Sequence, residues 1–137
     1  MRVLLVEDEL LISMMLEDEL ALLGHCVAGV ATTVEGGLAL LQQTASPDFA
    51  LVDFQLADGE CHELIADLKM RRIPFALVTG AQIDKADARI GNIDVLTKPL
   101  DLDRLTAVLN RFTSSSERGG ASVGGRASFQ LSLAAEG

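Results

Sequence analysis

Four short apolar runs, each ending on a polar or charged residue, constrain this chain more than any other feature. Val3-Leu4-Leu5-Val6 leads into Glu7-Asp8. Phe49-Ala50-Leu51-Val52 ends on Asp53, Phe75-Ala76-Leu77-Val78 on Thr79-Gly80, and Val95-Leu96-Thr97 on Lys98-Pro99. Apolar runs of this length between turn residues, such as Pro47-Asp48 before Phe49, read as buried strands. A further strand is expected over Cys26 to Ala31. Helical patterns separate the strands, so strand and helix alternate five times. That alternation predicts an α/β fold: a doubly wound, five-stranded parallel sheet with helices on both faces and right-handed crossovers. The strand order 2-1-3-4-5 is one of the two common doubly wound arrangements. It puts the first and third strands side by side at the switch point, with Glu7, Asp8 and Asp53 at their ends.

The first helix is expected from about Leu10 to Leu23, with Gly24 ending it. Leu10, Leu11, Met14, Met15, Ala21 and Leu22 supply its apolar side and Glu17, Asp18 and Glu19 its polar side, so Met14 and Met15 read as core filler. Thr32 or Thr33 caps the second helix, and Glu35 fits a capping box with Thr32. A loop follows Asp53 through Gly59. A third helix then runs from about Glu60 to Arg71 and turns Leu64, Ile65 and Leu68 inward. Ile83 to Ile90 form a short, weakly periodic fourth helix. Asp101 caps a fifth, which buries Leu102, Leu105, Val108, Leu109 and Phe112. These elements make one domain over residues 1–112. From Thr113 the composition turns to Ser114-Ser115-Ser116, Gly119-Gly120 and Gly124-Gly125, a flexible Ser/Gly-rich tail over 113–137.

Net charge is −9, and residues 1–112 hold 18 acidic and 9 basic side chains, so the whole excess lies in the domain. An acidic domain disfavours direct DNA binding, whose affinity comes from neutralising phosphates. It suits a divalent cation or a basic partner surface. No apolar run reaches the ~18 residues of a membrane span, and the first residues carry no secretory pattern. A cytoplasmic location without membrane contact is therefore expected. Cys26 and Cys61, with their neighbours His25 and His62, lack metal-ligand spacing and read as buried or idle side chains.

Three carboxylates converging on one crevice repel one another and stay ionised only beside a compensating cation. Oxygen-only ligands suit Mg²⁺, which prefers one or two carboxylates, several waters and phosphate oxygens. Lys98 brings a positive charge to the same mouth, and Thr79 a hydroxyl donor. A cation, a lysine and a hydroxyl around a carboxylate make a site for a tetrahedral phosphoryl group. Asp53, central among them, is the natural nucleophile, since carboxylates form acyl phosphates in enzymes.

Together, Glu7-Asp8, Asp53, Thr79 and Lys98-Pro99 resemble the motifs of response-regulator receiver domains of two-component systems, in order and at familiar spacing from Met1 to Phe112. Pro74 to Gly80 further resembles the FAT GUY receiver subgroup, although Ala81 stands where that subgroup has an aromatic residue. The resemblance implies a flavodoxin-like receiver fold and a stand-alone response regulator. Asp53 would be the phosphoacceptor, taking its phosphoryl group from a phosphohistidine of a sensor kinase or histidine phosphotransfer protein. Glu7, Asp8, Asp53 and the backbone carbonyl of Gln55 would hold Mg²⁺. Lys98 and Thr79 would each contact a phosphoryl oxygen, and the Lys98-Pro99 peptide would be cis. The domain would catalyse its own phosphorylation and dephosphorylation rather than act as a conventional enzyme. Its output would be contact with a downstream protein, as a monomer or a phosphorylation-dependent dimer, or service as a phosphate sink. One position departs from the family: Val95 stands where receivers carry Tyr or Phe. A coupled swing of Thr79 and an aromatic ring is then unavailable, and ordering of Gly80 to Gly91 on phosphorylation is expected instead.

Other classes share parts of this pattern. A phosphorylation-independent, receiver-like protein-binding module would not need the complete set of acids, Thr79 and Lys98. A phosphatase or mutase with an aspartyl nucleophile would want an acid two residues later, where Gln55 stands. A flavin-binding protein would want a phosphate-binding loop after the first strand, where Glu7-Asp8-Glu9 repels phosphate.

Overall fold

The computed structural model describes residues 1–43, 45–80 and 93–121, with side chains through 113. Along the chain follow β1 (Arg2–Val6), α1 (Leu10–Leu22), β2 (Cys26–Ala31), α2 (Val34–Gln43), β3 (Phe49–Asp53), β4 (Gln55–Leu56), β5 (Gly59–Glu60), α3 (His62–Met70), β6 (Phe75–Thr79), β7 (Asp94–Thr97) and α4 (Leu102–Ala121). Five strands form one parallel sheet in the order β2-β1-β3-β6-β7, which is the expected 2-1-3-4-5 arrangement.

Both faces of the sheet are covered. Val3, Leu5, Phe49, Leu51, Ala76 and Val78 join Leu16 and Leu20 of α1 and Leu105, Val108 and Leu109 of α4 in one core layer. Leu4, Val6, Ala50, Val52 and Leu77 join Leu41 of α2 and Leu64, Ile65 and Leu68 of α3 in the other. Strands buried on two sides need apolar residues at every position, so β3 and β6 are buried throughout.

The faces of α1 correct the expectation from its sequence. Ser13, Leu16 and Leu20 are buried, with Ile12 and Leu23 against the same layer. Leu10, Leu11, Met14, Met15 and Leu22 are exposed, Leu22 by 82%. Apolar residues surround most of this helix, and three consecutive acids spread over most of a turn. Periodicity therefore selects no face, and the fit of Leu16 and Leu20 to the sheet decides it. Met14 and Met15 lie on the surface and do not fill the core. The end of α1 is as expected: Gly24, at φ 87°, donates its N–H to the Ala21 carbonyl and His25 donates to that of Leu20.

The stretch after Asp53, expected as a plain loop, folds into an antiparallel β4–β5 hairpin. Gly59 there adopts φ 134°, which a side chain would oppose. The hairpin delays α3 to His62. Its turn residue Asp58 accepts the Val34 and Glu35 N–H groups at 2.8 and 3.2 Å, while Thr33 Oγ1 accepts that of Gly36 at 2.9 Å. The start of α2 is thus capped by Thr33 and Asp58 rather than by Thr32 and Glu35.

Asp101 caps α4 through the Asp103 and Arg104 N–H groups. The helix runs on to Ala121, past Phe112, where the change in composition puts the end of the domain. Serine is a tolerable helix residue, so a Ser-rich run does not by itself end a helix. The expected helix over Ile83 to Ile90, the ordering segment after Gly80 and the tail beyond Ala121 lie outside the described residues. No helix among the described residues is long and apolar enough to cross a membrane.

Candidate functional site

The carboxyl ends of β1, β3, β6 and β7 meet along one edge of the sheet, and each delivers the residue on which its apolar run ends. Glu7 follows β1, Asp53 ends β3, Thr79 ends β6 and Lys98 follows β7. Glu7, Asp53 and Thr79 are buried, whereas Asp8 is exposed at the lip. One carboxylate oxygen from each of Glu7, Asp8 and Asp53 lies within 4.8 Å of the others.

Lys98 ties the acids together. Its Nζ donates to Glu7 Oε2 at 3.2 Å, to Asp53 Oδ2 at 3.2 Å and to Glu9 Oε1 at 3.1 Å. Its backbone N–H donates to the Thr79 carbonyl at 2.8 Å, and the Lys98-Pro99 peptide is cis, as the resemblance implies. Asp53 Oδ1 accepts the Gln55 N–H at 3.2 Å, and Glu7 Oε2 accepts the Glu9 N–H at 3.1 Å. Glu7 Oε1 is buried with no hydrogen-bond partner among the described residues. An orphaned carboxylate oxygen beside two more carboxylates fits a hard, oxygen-seeking cation such as Mg²⁺.

The charges agree with that fit. Burial pushes the Glu7 carboxyl up to about 7; its hydrogen bond from Glu9 opposes the rise and the nearby Asp53 charge assists it. Asp8 is raised as well, first by lost solvation and then by Asp53. Burial would lower the Lys98 ammonium, but Glu9, Glu7 and Asp53 outweigh it and its pKa is raised, so it stays charged. One ammonium among four carboxylates leaves a negative surplus that a divalent ion would neutralise.

Every residue singled out from the sequence is thus at this edge. Glu7, Asp8, Asp53 and Lys98 form one cluster, Thr79 is buried at the next strand end, and Gln55 joins through its backbone N–H, which donates to Asp53 Oδ1. One participant is not evident from the sequence: Glu9, whose only signal is its place directly after an acidic pair. Cys26 is exposed, and Cys61 is buried with its thiol pushed up to about 12. His62 bonds Glu60 at 3.0 Å. None of these joins the acidic cluster, which among the described residues is the one group of its kind able to hold a metal. Val95 is partly buried against the α2–α3 layer.

Similarity to known proteins runs over most of the chain. The profile of the response regulator receiver domain matches residues 3–110. The phyllosphere-induced regulator PhyR of Methylorubrum extorquens is 38% identical over 79 residues, which make up 56% of this chain and 30% of that protein. The solution structure of the Erythrobacter litoralis PhyR receiver domain matches with a TM-score of 0.73 at 30% identity, over 82% of this chain and 88% of that one. SdrG from Sphingomonas melonis matches with a TM-score of 0.70 at 36% identity, over 82% and 95%. The chain spans less than half the length of the curated relatives it matches. With that profile across its sheet and helices, and the strand order to go with it, the chain belongs to the response regulator receiver domain family.

Proposed function

We propose that this domain accepts a phosphoryl group on Asp53 from a phosphohistidine of a sensor histidine kinase or histidine phosphotransfer protein. The phosphorylated domain then acts through a downstream protein. The observation that carries this reading is the surround of Asp53: Oδ2 on the Lys98 ammonium, Oδ1 on the Gln55 N–H, and Glu7 and Asp8 alongside. A carboxylate oxygen of Asp53 attacks phosphorus, the N–P bond of the donor breaks, and the imidazole leaves with its electron pair. Lys98 transfers to a phosphoryl oxygen the N–H that it now gives Asp53, and Thr79 offers its hydroxyl to another. Glu7, Asp8, Asp53 and the Gln55 carbonyl would hold Mg²⁺, which supplies charge neutralisation for the incoming phosphoryl oxygens.

The exposed apolar side of α1, with Leu10, Leu11, Met14 and Met15, starts next to Asp8 and Glu9. An apolar surface beside an acidic mouth suits a donor helix that carries basic residues around an apolar stripe. A cytoplasmic location belongs to this proposal. Retention of the acids, Lys98 and Thr79 disfavours the alternative, a binding module independent of phosphorylation. With Mg²⁺ and acetyl phosphate, the wild type is expected to gain one acid-labile phosphoryl group, and a folded Asp53→Asn variant none. Persistent labelling of Asp53→Asn would contradict the assignment.

A further inference from the structure

We infer that Glu9 is a positioning residue for Lys98: the one anchor of its ammonium that keeps its role throughout phosphoryl transfer. The inference rests on Asp53 being the phosphoacceptor. Lys98 has three N–H bonds to give, and the structure supplies three carboxylate acceptors, Glu7, Glu9 and Asp53, at 3.1 to 3.2 Å. Two of these acceptors change. Asp53 becomes an acyl phosphate, and Glu7 belongs to the cluster that would hold the cation. Glu9 does neither. Its carboxylate is 59% exposed at the lip and lies outside that cluster.

Counting donors shows how the exchange balances. The phosphoryl oxygen takes the N–H released by Asp53 Oδ2, and Glu9 retains its own. Lys98 then need not leave the lip and be captured again. Glu9 is itself fixed by its backbone: its N–H donates to Glu7 Oε2 at 3.1 Å, and its carbonyl accepts the Ser13 N–H at 3.0 Å in the first turn of α1. A lysine is a point charge on a flexible four-carbon stem, so a second anchor at its tip decides where that charge rests. Glu9 also adds negative charge at the mouth, which opposes the approach of a small anionic donor. Its two effects therefore fall on different kinetic constants. Anchoring Lys98 raises the saturated rate, and repulsion raises the donor concentration needed to reach it.

The test is the rate of Asp53 phosphorylation against acetyl phosphate concentration, with Mg²⁺ present. Glu9→Ala is expected to lower the saturated rate about three- to fivefold, the size of one half-exposed ion pair, and to lower the half-saturating concentration. Glu9→Asp, which keeps the charge, should recover part of the rate. In a Lys98→Ala background the added Glu9→Ala change should alter the saturated rate by less than about twofold, because on that constant both act through one contact. An unchanged saturated rate in Glu9→Ala would overturn the inference, as would an equal loss in the Lys98→Ala background. A wild type that acquires no phosphoryl group would instead overturn the phosphoacceptor reading on which it rests.

Discussion

Glu7 carries the sharpest electrostatic conflict in the site. Its carboxylate is 2% exposed, one oxygen has no partner among the described residues, and burial raises its pKa from an ordinary 4.5 to about 7. Between those two values the folded chain holds a proton that the unfolded chain releases. Metal-free stability should therefore fall as pH rises through that window. Bound at this cluster, Mg²⁺ would remove the conflict by taking the place of the proton. Its affinity is accordingly expected to weaken as pH drops through about 7, with proton release on binding. Calorimetry in buffers of different ionisation heat measures that release. Binding near neutral pH with no proton displaced would mean that Glu7 is not titrated by the ion.

The two sides of α1 make opposite demands on substitution. Leu16 is in the core, so Leu16→Ala should cost about 2–5 kcal/mol in urea unfolding. Leu11 and Met15 are exposed, so Leu11→Ser and Met15→Ser should each stay within about 0.5 kcal/mol of wild type. If this side receives the donor helix, the same two changes should slow transfer from a phosphorylated histidine phosphotransfer protein and leave labelling by acetyl phosphate unaltered. Equal loss with both donors would place the defect at Asp53 rather than at a docking face. The start of α2 depends on Asp58, whose pKa is lowered by the Val34 N–H, with a further contribution from that of Glu35. A depressed carboxylate gives its stabilisation above its unfolded value of 3.8 and loses it as pH falls through the lower folded value. Protection of the first-turn amides of α2, taken relative to their intrinsic exchange rates, should fall on acidification below 3.8 in wild type, and Asp58→Ala should show low protection at every pH. High, pH-independent protection in Asp58→Ala would show that Thr33 alone suffices.

A continuously apolar strand that ends on a charged residue carries both fold and site in a single segment, which is why Glu7, Asp53, Thr79 and Lys98 were legible together. Parallel pairing then places those ends along one edge without any side-chain detail. Features set by three-dimensional fit were not legible. The buried stripe of α1 depends on how Leu16 and Leu20 meet the sheet. The hairpin after Asp53 depends on Gly59, and the cap from Asp58 reaches α2 across 24 residues of sequence. Glu9 remained hidden because a lone acid beside an acidic pair gives no hint that it meets Lys98, 89 residues away. The nucleophile proposed at that edge, Asp53, can be located chemically. Borohydride reduces an aspartyl phosphate to homoserine, and peptide mapping reads its position. After reaction with acetyl phosphate and Mg²⁺, homoserine is expected in place of Asp53 and nowhere else. An unreduced Asp53 in a phosphorylated protein, or homoserine in place of Asp8 instead, would contradict the assignment.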